Sequence, residues 1–332
     1  MISSAILIWG DSYIPQASLV FKHLLKLGVV SNIYVVDAKN FSSRQLAPIE
    51  SDTYQKLTTS NDDIVSVIEK VDVVYFGGSP ASYQEFMRVS NKIFITGFPG
   101  VQGEDFYEGV LARKKVDILL INNKSDLNRF NLLKRDFEIS SKPVLYGYSF
   151  VALMKKKSKY IENDILFVDQ KGIFSYREIF YILRKLRYLV KSGYRVSVQP
   201  RSIGSEISIH EGKGVASFLS LFNIIFRAKI RTSRVPVSVA IECSKVVVSI
   251  SSTALIQANN IAHVACVSDF GIKKRLLNTV FVGAGIFRLF SEIEELLRGS
   301  ELQLGEGAPV FDSNLAGNAY ENLRKAILPL LK

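Results

Sequence analysis

Short apolar runs alternate with longer amphipathic stretches along nearly the whole chain, and this alternation restricts the fold more than any other feature. The run Ala5–Trp9 is typical, because it is continuous in apolar residues and ends at Gly10. Strands of a parallel sheet produce such runs, and the helices that cross over between strands produce the amphipathic stretches. We therefore predict an α/β fold built from βαβ units.

The alternation occurs in two series, separated by a basic segment without periodicity at Met154–Asn163. A chain of 332 residues is also longer than a single core usually accommodates. We predict two Rossmann-like domains with a cleft between them, at residues 1–157 and 158–315. Residues 316–332 are expected to form a final helix that packs back on the first domain.

The individual elements follow from the same pattern. The predicted strands are Ala5–Trp9, Asn32–Val36, Val71–Phe76, Lys92–Thr96, Val116–Ile121, Pro143–Tyr146, Ile165–Gln170, Tyr194–Val198, Val237–Ile241, Val246–Ile250, His263–Val267 and Val280–Val282. The predicted helices are Gln16–Leu27, Asp62–Glu69, Ser82–Val89, Leu127–Asp136, Tyr176–Lys191, Ser252–Asn259, Ser291–Arg298 and Asn314–Leu331.

The charge balance is basic, with 42 Lys and Arg against 31 Asp and Glu. Basic residues gather at Lys155–Lys159, Arg184–Arg187 and Arg227–Arg234. Such clusters attract phosphates of nucleotides or of anionic lipids, and a solvated basic surface is the alternative. No nucleic-acid-binding motif accompanies the charge, so nucleic acid is not an expected partner.

The chain contains two cysteines and no apolar run as long as 18 residues. A disulfide framework is therefore not expected, and a reducing cytoplasm fits. The N-terminus lacks the basic start of a signal peptide. We expect a cytoplasmic protein whose membrane contact, if it has one, is peripheral on the inner face of the cytoplasmic membrane.

Two loops of the first domain carry candidate catalytic acids. Gly10, Asp11 and Ser12 follow the first strand, where Asp11 is a candidate base, although Asp11 and Ser12 would also suit a helix cap. Glu104 and Asp105 are the other candidates for the base; alternatively, these acids are part of an acid-rich helix N-terminus.

A third loop of the first domain is a candidate for lining the cleft, because its glycines permit close approach to a ligand. This loop consists of Gly97, Phe98, Pro99 and Gly100.

The second domain offers candidate phosphate contacts after two of its strands. Donors for an anion follow the strand Tyr194–Val198, and three hydroxyls begin the helix after the strand Val246–Ile250. A plain N-cap would need one of those three hydroxyls. The candidate contacts are Gln199, Pro200, Arg201, Ser202, Ser251, Ser252 and Thr253.

Asp169, Gln170 and Asp269 near strand ends are further candidate cleft residues. So is His210, which lies in a polar loop and is the one plausible imidazole acid or phosphate donor. Asp269 would alternatively shape its turn. Ligand clusters of the HExxH, CxxC or paired-Asp kind do not occur, so we predict no bound metal and no cofactor.

The second domain resembles the donor domain of bacterial GT-B sialyltransferases and of related transferases from capsule and lipopolysaccharide loci. The segments that carry the resemblance are Gln199–Arg201, Val248–Ala254, Ser268–Ile272 and Leu276–Phe281. In those families a His-Pro pair contacts the nucleotide, and a pair of serines or threonines contacts the donor phosphate. The resemblance therefore implies that Pro200 contacts the nucleotide and that the group Ser251, Ser252 and Thr253 contacts the phosphate. Gln199 stands where those families have a histidine, and their acidic motif with an adjacent glycine has no counterpart here.

The resemblance implies a metal-independent glycosyltransferase. We predict transfer of a sialic-, legionaminic- or pseudaminic-type nonulosonic acid from a CMP-activated donor to a surface glycan or lipid-linked glycan. The alternatives are a GT-B transferase using a UDP- or GDP-hexose, a nucleotide-sugar epimerase, and a non-enzymatic basic scaffold on an anionic membrane surface or assembly partner.

Overall fold

The computed structural model describes residues 1–37, 41, 43–46, 49, 54–57, 61–89, 91–103, 105–152, 160–201, 212–271, 278–298 and 318–331. The chain divides into two compact units. The first unit is Met1–Leu153 together with Asp312–Lys332, and the second is Met154–Phe311.

Each unit contains one parallel sheet. The seven strands of the first unit are β1 (Ser3–Ile8), β2 (Val30–Val36), β3 (Tyr54–Leu57), β4 (Val73–Gly77), β5 (Ile93–Gly97), β6 (Ile118–Ile121) and β7 (Lys142–Leu145). The six strands of the second are β8 (Asn163–Val168), β9 (Val196–Gln199), β10 (Arg231–Thr232), β11 (Ser244–Ser249), β12 (His263–Val267) and β13 (Phe287–Arg288).

The helices mostly follow strands, as crossovers between parallel strands require. They are α1 (Ile14–Lys26), α2 (Ser43–Leu46), α3 (Asn61–Glu69), α4 (Pro80–Tyr83), α5 (Phe106–Leu111), α6 (Lys124–Asp136), α7 (Ser149–Ala152), α8 (Tyr176–Lys191), α9 (Ala216–Phe226), α10 (Val237–Glu242), α11 (Ala254–Ala258), α12 (Ile293–Leu297) and α13 (Ala319–Ile327). Among the described residues, no helix is long and apolar enough to cross a membrane.

The two sheets have the same strand order over six strands, and the first sheet has a seventh strand at one edge. It runs β3-β2-β1-β4-β5-β6-β7 in the first unit and β10-β9-β8-β11-β12-β13 in the second. In each, the order reverses direction beside the first strand, which is the topological switch point where open α/β sheets bind their ligands. The prediction of two parallel-sheet α/β domains is confirmed.

The first sheet is covered on both faces, which explains its continuous apolar strands. Ile6 and Ile8 face a core that includes α1 and α13, and Ala5 and Leu7 face a core that includes α3 and α6. The last helix contributes Leu323 and its apolar neighbours to the first of these cores. Helix α13 is therefore part of the first unit, although the second unit separates it from the rest of that unit in the sequence.

Helix α8 supplies most of the helical face of the second unit's core. The predicted bounds of this helix, Tyr176–Lys191, are confirmed. The helix begins at Tyr176 because Ser175 and Glu178 form a capping box there. Ile182 and Leu186 are fully buried against β8 and β9 residues in the same cluster.

Two predicted strands are wrong. Val237–Ile241 is part of α10, which follows Pro236 at the N-cap; the adjacent residues Ala240 and Ile241 are both buried, unlike the alternating residues of a strand with one buried face, and tertiary packing outweighs strand propensity here. Val280–Val282 overlaps a short 3-10 helix at Asn278–Phe281, and β13 follows instead at Phe287–Arg288.

Candidate functional site

The switch point of the second sheet lies between β8 and β11, and polar residues follow both strands. Asp169 and Gln170 come after β8, and Ser251 comes two residues after β11. The side-chain amide of Gln170 donates a hydrogen bond to the carbonyl oxygen of Ser251, so the two loops are held together. Gln199, the last residue of β9, is next to the β8 end because Val168 pairs with Gln199.

Three buried polar atoms at this edge have no hydrogen-bond partner among the described residues: Oε1 of Gln170, Oε1 of Gln199 and Oγ of Ser251. Each amide is oriented by the bond its nitrogen donates, to Ser251 O for Gln170 and to Val235 O for Gln199. An unsatisfied buried polar atom costs about 1–3 kcal/mol, and three of the eight such atoms among the described residues lie at this one edge of the sheet. Two acceptors and a hydroxyl suit N–H, O–H and phosphate groups.

Neighbouring Ser252 and Thr253 differ from Ser251. The hydroxyl of Ser252 accepts a hydrogen bond of 3.2 Å from the amide of Ala254, as a local cap does. Thr253 is half-buried at the start of α11, which has five residues. Because so short a helix has a weak dipole, the structural case for a ligand depends on Ser251 and the two glutamines.

The carboxylate of Asp169 is buried and saturated by backbone amides. It accepts hydrogen bonds of 2.9 Å from Val215, Ala216 and Gln170. It therefore satisfies amides at the start of α9 while positioning Gln170. Burial raises the pKa of Asp169 to about 6, although the amide hydrogen bonds oppose this shift.

The remaining candidates of the second unit are placed as follows. Pro200 is buried and Arg201 is exposed. Ser202 and His210 lie outside the described residues. Asp269 accepts hydrogen bonds from the Tyr181 hydroxyl and, at 2.8 Å, from the Phe290 amide, so it shapes its turn.

In the first unit, Gly10 and Asp11 lie at the switch point between β1 and β4. The amides of Trp9 and Gly10 both donate to the carbonyl oxygen of Gly77. Asp11 is half-buried, and its two oxygens accept hydrogen bonds from the Ser12 amide at 2.8 Å and from Gln45 at 3.2 Å. Asp11 is thus held at the sheet edge by both its own loop and α2.

The loop Gly97–Gly100 is fixed by side chains of its own unit. Gln16 and Asn122 donate to the carbonyl oxygen of Phe98, and Asn122 also donates to Gly100. A Cβ at Gly97 would lie 2.6 Å from Gln16 Oε1, so packing explains this glycine. Phe98 is buried and Pro99 is half-buried.

Asp105 and Glu104 precede α5. Asp105 is the N-cap residue and is exposed, with no side-chain hydrogen bond to the helix. Glu104 lies outside the described residues.

Sequence reasoning missed α9, whose first amides determine where Asp169 lies. The segment Ala216–Phe226 is largely apolar, and its polar residues Ser217, Ser220 and Asn223 recur every three residues. Its eleven residues exceed the usual length of a strand, and this length was the signal that could have revealed a helix.

Comparisons with known proteins agree with the fold. The sequence model of the family described as "Putative glycosyltransferase (DUF6716)" matches residues 10–301. No curated protein sequence matches the chain.

Several solved structures share this fold over almost their full length. MnaA of S. aureus with UDP gives a TM-score of 0.66 at 14% identity and covers 100% of this chain and 97% of its own. UDP-GlcNAc 2-epimerase from Methanocaldococcus jannaschii gives a TM-score of 0.62 at 12% identity, and the match covers 98% of this chain and 100% of the epimerase chain. UGT89C1 of Arabidopsis thaliana with UDP gives 0.62 at 12%, with 100% of both chains covered. At such identities the likeness shows the fold alone.

Proposed function

The chain belongs to the DUF6716 family of glycosyltransferases, and from that premise we propose that its second unit binds a nucleotide-activated sugar for transfer to a glycan. The enzyme is a glycosyltransferase with a GT-B fold. The observation that carries the proposal is the group of three buried atoms on Gln170, Gln199 and Ser251 at the switch point, which have no hydrogen-bond partner in the part of the chain that the structure describes.

These atoms suit the parts of a nucleotide sugar. The hydroxyl of Ser251 can donate to a phosphate oxygen, and the glutamine oxygens can accept from a ribose, sugar or base. Arg201, which is exposed two residues after the end of β9, adds a positive charge for the phosphates. Stabilising the leaving phosphate in this way would contribute to the rate.

Two donor classes are supported by different observations. A UDP-activated sugar is supported by the fold likeness to MnaA and UGT89C1, both of which were solved with UDP. A CMP-activated nonulosonic acid is supported by the sequence resemblance at Pro200 and Ser251–Thr253. We place the UDP-sugar first and keep the CMP donor as the second proposal, with GDP-hexose as a third.

Calorimetric titration with UDP, CMP and GDP tests the site. Ser251→Ala is expected to weaken binding of the preferred nucleotide about tenfold, because it removes a hydrogen bond to a charged group. Ser249→Ala is the matched control, since Ser249 lies two positions earlier and its hydroxyl is already bonded to the Val168 carbonyl oxygen at 2.9 Å. Equal losses in both variants, or no nucleotide binding by the wild type, would refute the assignment; the second result would favour a non-enzymatic scaffold.

We further propose that Asp11 is the base in an inverting transfer. It would take the proton of the acceptor hydroxyl while the acceptor oxygen bonds to the anomeric carbon and the bond to the phosphate breaks. Asp11→Asn should lower kcat at least a hundredfold with nucleotide affinity unchanged. Unchanged kcat would transfer the role to Glu104 or Asp105. The proposed absence of a metal predicts full activity in EDTA.

A nucleotide-sugar epimerase is the second candidate function. It is supported by the fold likeness to the UDP-GlcNAc 2-epimerase from M. jannaschii. Incubation of the protein with nucleotide sugar alone separates the two, because an epimerase converts the donor without an acceptor.

A further inference from the structure

Helices α8 and α9 leave an apolar surface on the second unit. Phe180 of α8 packs against Phe222 and Phe226 of α9 at ring separations of 5.6 and 5.7 Å. Beside this contact lies an apolar groove of about 200 Å³ between the two helices. We call the exposed side of these helices the α8–α9 face.

Helix α9 exposes large aliphatic side chains beside the exposed Ser217 and Ser220, in addition to the apolar side chains that it buries. Leu219 and Phe222 are buried, whereas Leu221, Ile224 and Ile225 are exposed by 59%, 76% and 59%. Leu221, Ile224 and Ile225 are related as i, i+3 and i+4, so they form a contiguous patch on one side of the helix, which in water is unfavourable unless something covers it. Phe180 and Tyr176 extend the patch onto α8 with exposures of 44% and 67%.

Basic side chains border this patch. Arg177, Arg184 and Lys191 are exposed on α8 at spacings that put them on the same side as Phe180. Arg187 donates to the carbonyl oxygen of Phe226 at 3.1 Å, which fixes its guanidinium beside the end of α9. Glu178 is the one acidic residue of α8, and its carboxylate accepts from Ser175 in the capping box.

We propose that the α8–α9 face is the surface by which the protein lies on a membrane of anionic phospholipids. Aliphatic side chains would enter the boundary of the acyl chains, while the arginines and lysines would contact lipid phosphates. A second copy of the chain is a poorer occupant, because two such faces would bring like charges together. The inference rests on the proposed function in one respect: it makes a lipid-linked glycan the acceptor.

Vesicle flotation tests the apolar part of the face. The wild type should bind vesicles of phosphatidylglycerol and phosphatidylcholine but not of phosphatidylcholine alone. Leu221→Ser/Ile225→Ser should reduce binding to the anionic vesicles at least about tenfold. The matched control is Leu132→Ser/Phe137→Ser in the first unit, where exposures of 53% and 48% are similar. Equal binding by the two double variants overturns the proposal.

A second pair of variants tests the charge. Arg184→Glu/Lys191→Glu should abolish binding at low salt, whereas Lys134→Glu/Arg135→Glu, exposed on α6 and identical in charge change, should retain most of it. An equal loss of vesicle binding in the two charge variants would show that binding depends on the net charge of the protein and not on the α8–α9 face, and would overturn the proposal. Wild-type dimers that Leu221→Ser/Ile225→Ser dissociates, with no vesicle binding, would assign the face to a second copy. Nucleotide titration of all four variants should match the wild type, so failure here leaves the donor-site proposal intact.

Discussion

Asp169 and Gly214 are packed so closely that a Cβ at position 214 would force the Asp169 carboxylate or the backbone to shift. A Cβ at Gly214 would lie 2.8 Å from Oδ1 of Asp169 and closer still to Oδ2. The same carboxylate accepts from the amides of Val215 and Ala216, so the contact joins the end of β8 to the start of α9.

Gly214→Ala is therefore expected to lower the free energy of unfolding by about 2 kcal/mol, because the carboxylate or the helix must shift. Nucleotide affinity should fall as well, since the Gln170 amide is bonded to this carboxylate. Urea denaturation and calorimetry measure the two effects. Ser220→Ala, on the exposed side of α9, is the control. A Gly214→Ala variant as stable as the wild type would show that the packing between Gly214 and Asp169 accommodates a methyl group.

The raised pKa of Asp169 predicts a pH dependence of stability. Because burial raises this pKa from 3.8 to about 6, the folded protein binds more protons than the unfolded chain between these values. The stability contributed by Asp169 is thus full below pH 4 and is lost as pH rises to 6. The difference in unfolding free energy between wild type and Asp169→Asn should fall over this range by up to about 3 kcal/mol. A difference that is independent of pH would contradict the shift.

Ser251 and Ser249 should respond oppositely to truncation in the absence of ligand. The buried hydroxyl of Ser251 has no partner among the described residues, so Ser251→Ala should leave the unfolding free energy unchanged or raise it by up to about 1 kcal/mol. Ser249→Ala removes a hydrogen bond and should lower it by about 1 kcal/mol. Thermal denaturation of the two variants measures the contrast. Equal destabilisation would mean that Ser251 has a structural role.

His23 should remain neutral well below the usual pH. Burial, with the charge of Lys26 as a smaller cause, lowers its pKa from 6.5 to about 4. A hydrogen bond of 2.9 Å joins the half-buried His23 ring to the hydroxyl of Tyr146, which lies in the first unit's core. Because the unfolded chain takes up this proton first, the first unit should lose stability as pH falls from 6.5 to 4. An NMR titration of the His23 ring with a midpoint near 6.5 would contradict the prediction.

The sequence by itself determined the α/β class and the candidate loops. Strands buried on both faces must be continuously apolar, and Ala5–Trp9 shows this without any knowledge of its neighbours. The amphipathic pattern of Tyr176–Lys191 also predicted α8, because helical periodicity is contained within the segment itself.

Tertiary structure decided what local pattern could not. Val237–Ile241 has the β-branched composition of a strand but forms α10, since packing outweighs propensity there. Ser249 and Ser251 look alike in sequence, yet the partner of one is a carbonyl oxygen 81 residues away and the hydroxyl of the other is unpartnered among the described residues. Which buried group remains available to a ligand depends on strand order and register, and these are set by contacts between distant parts of the chain.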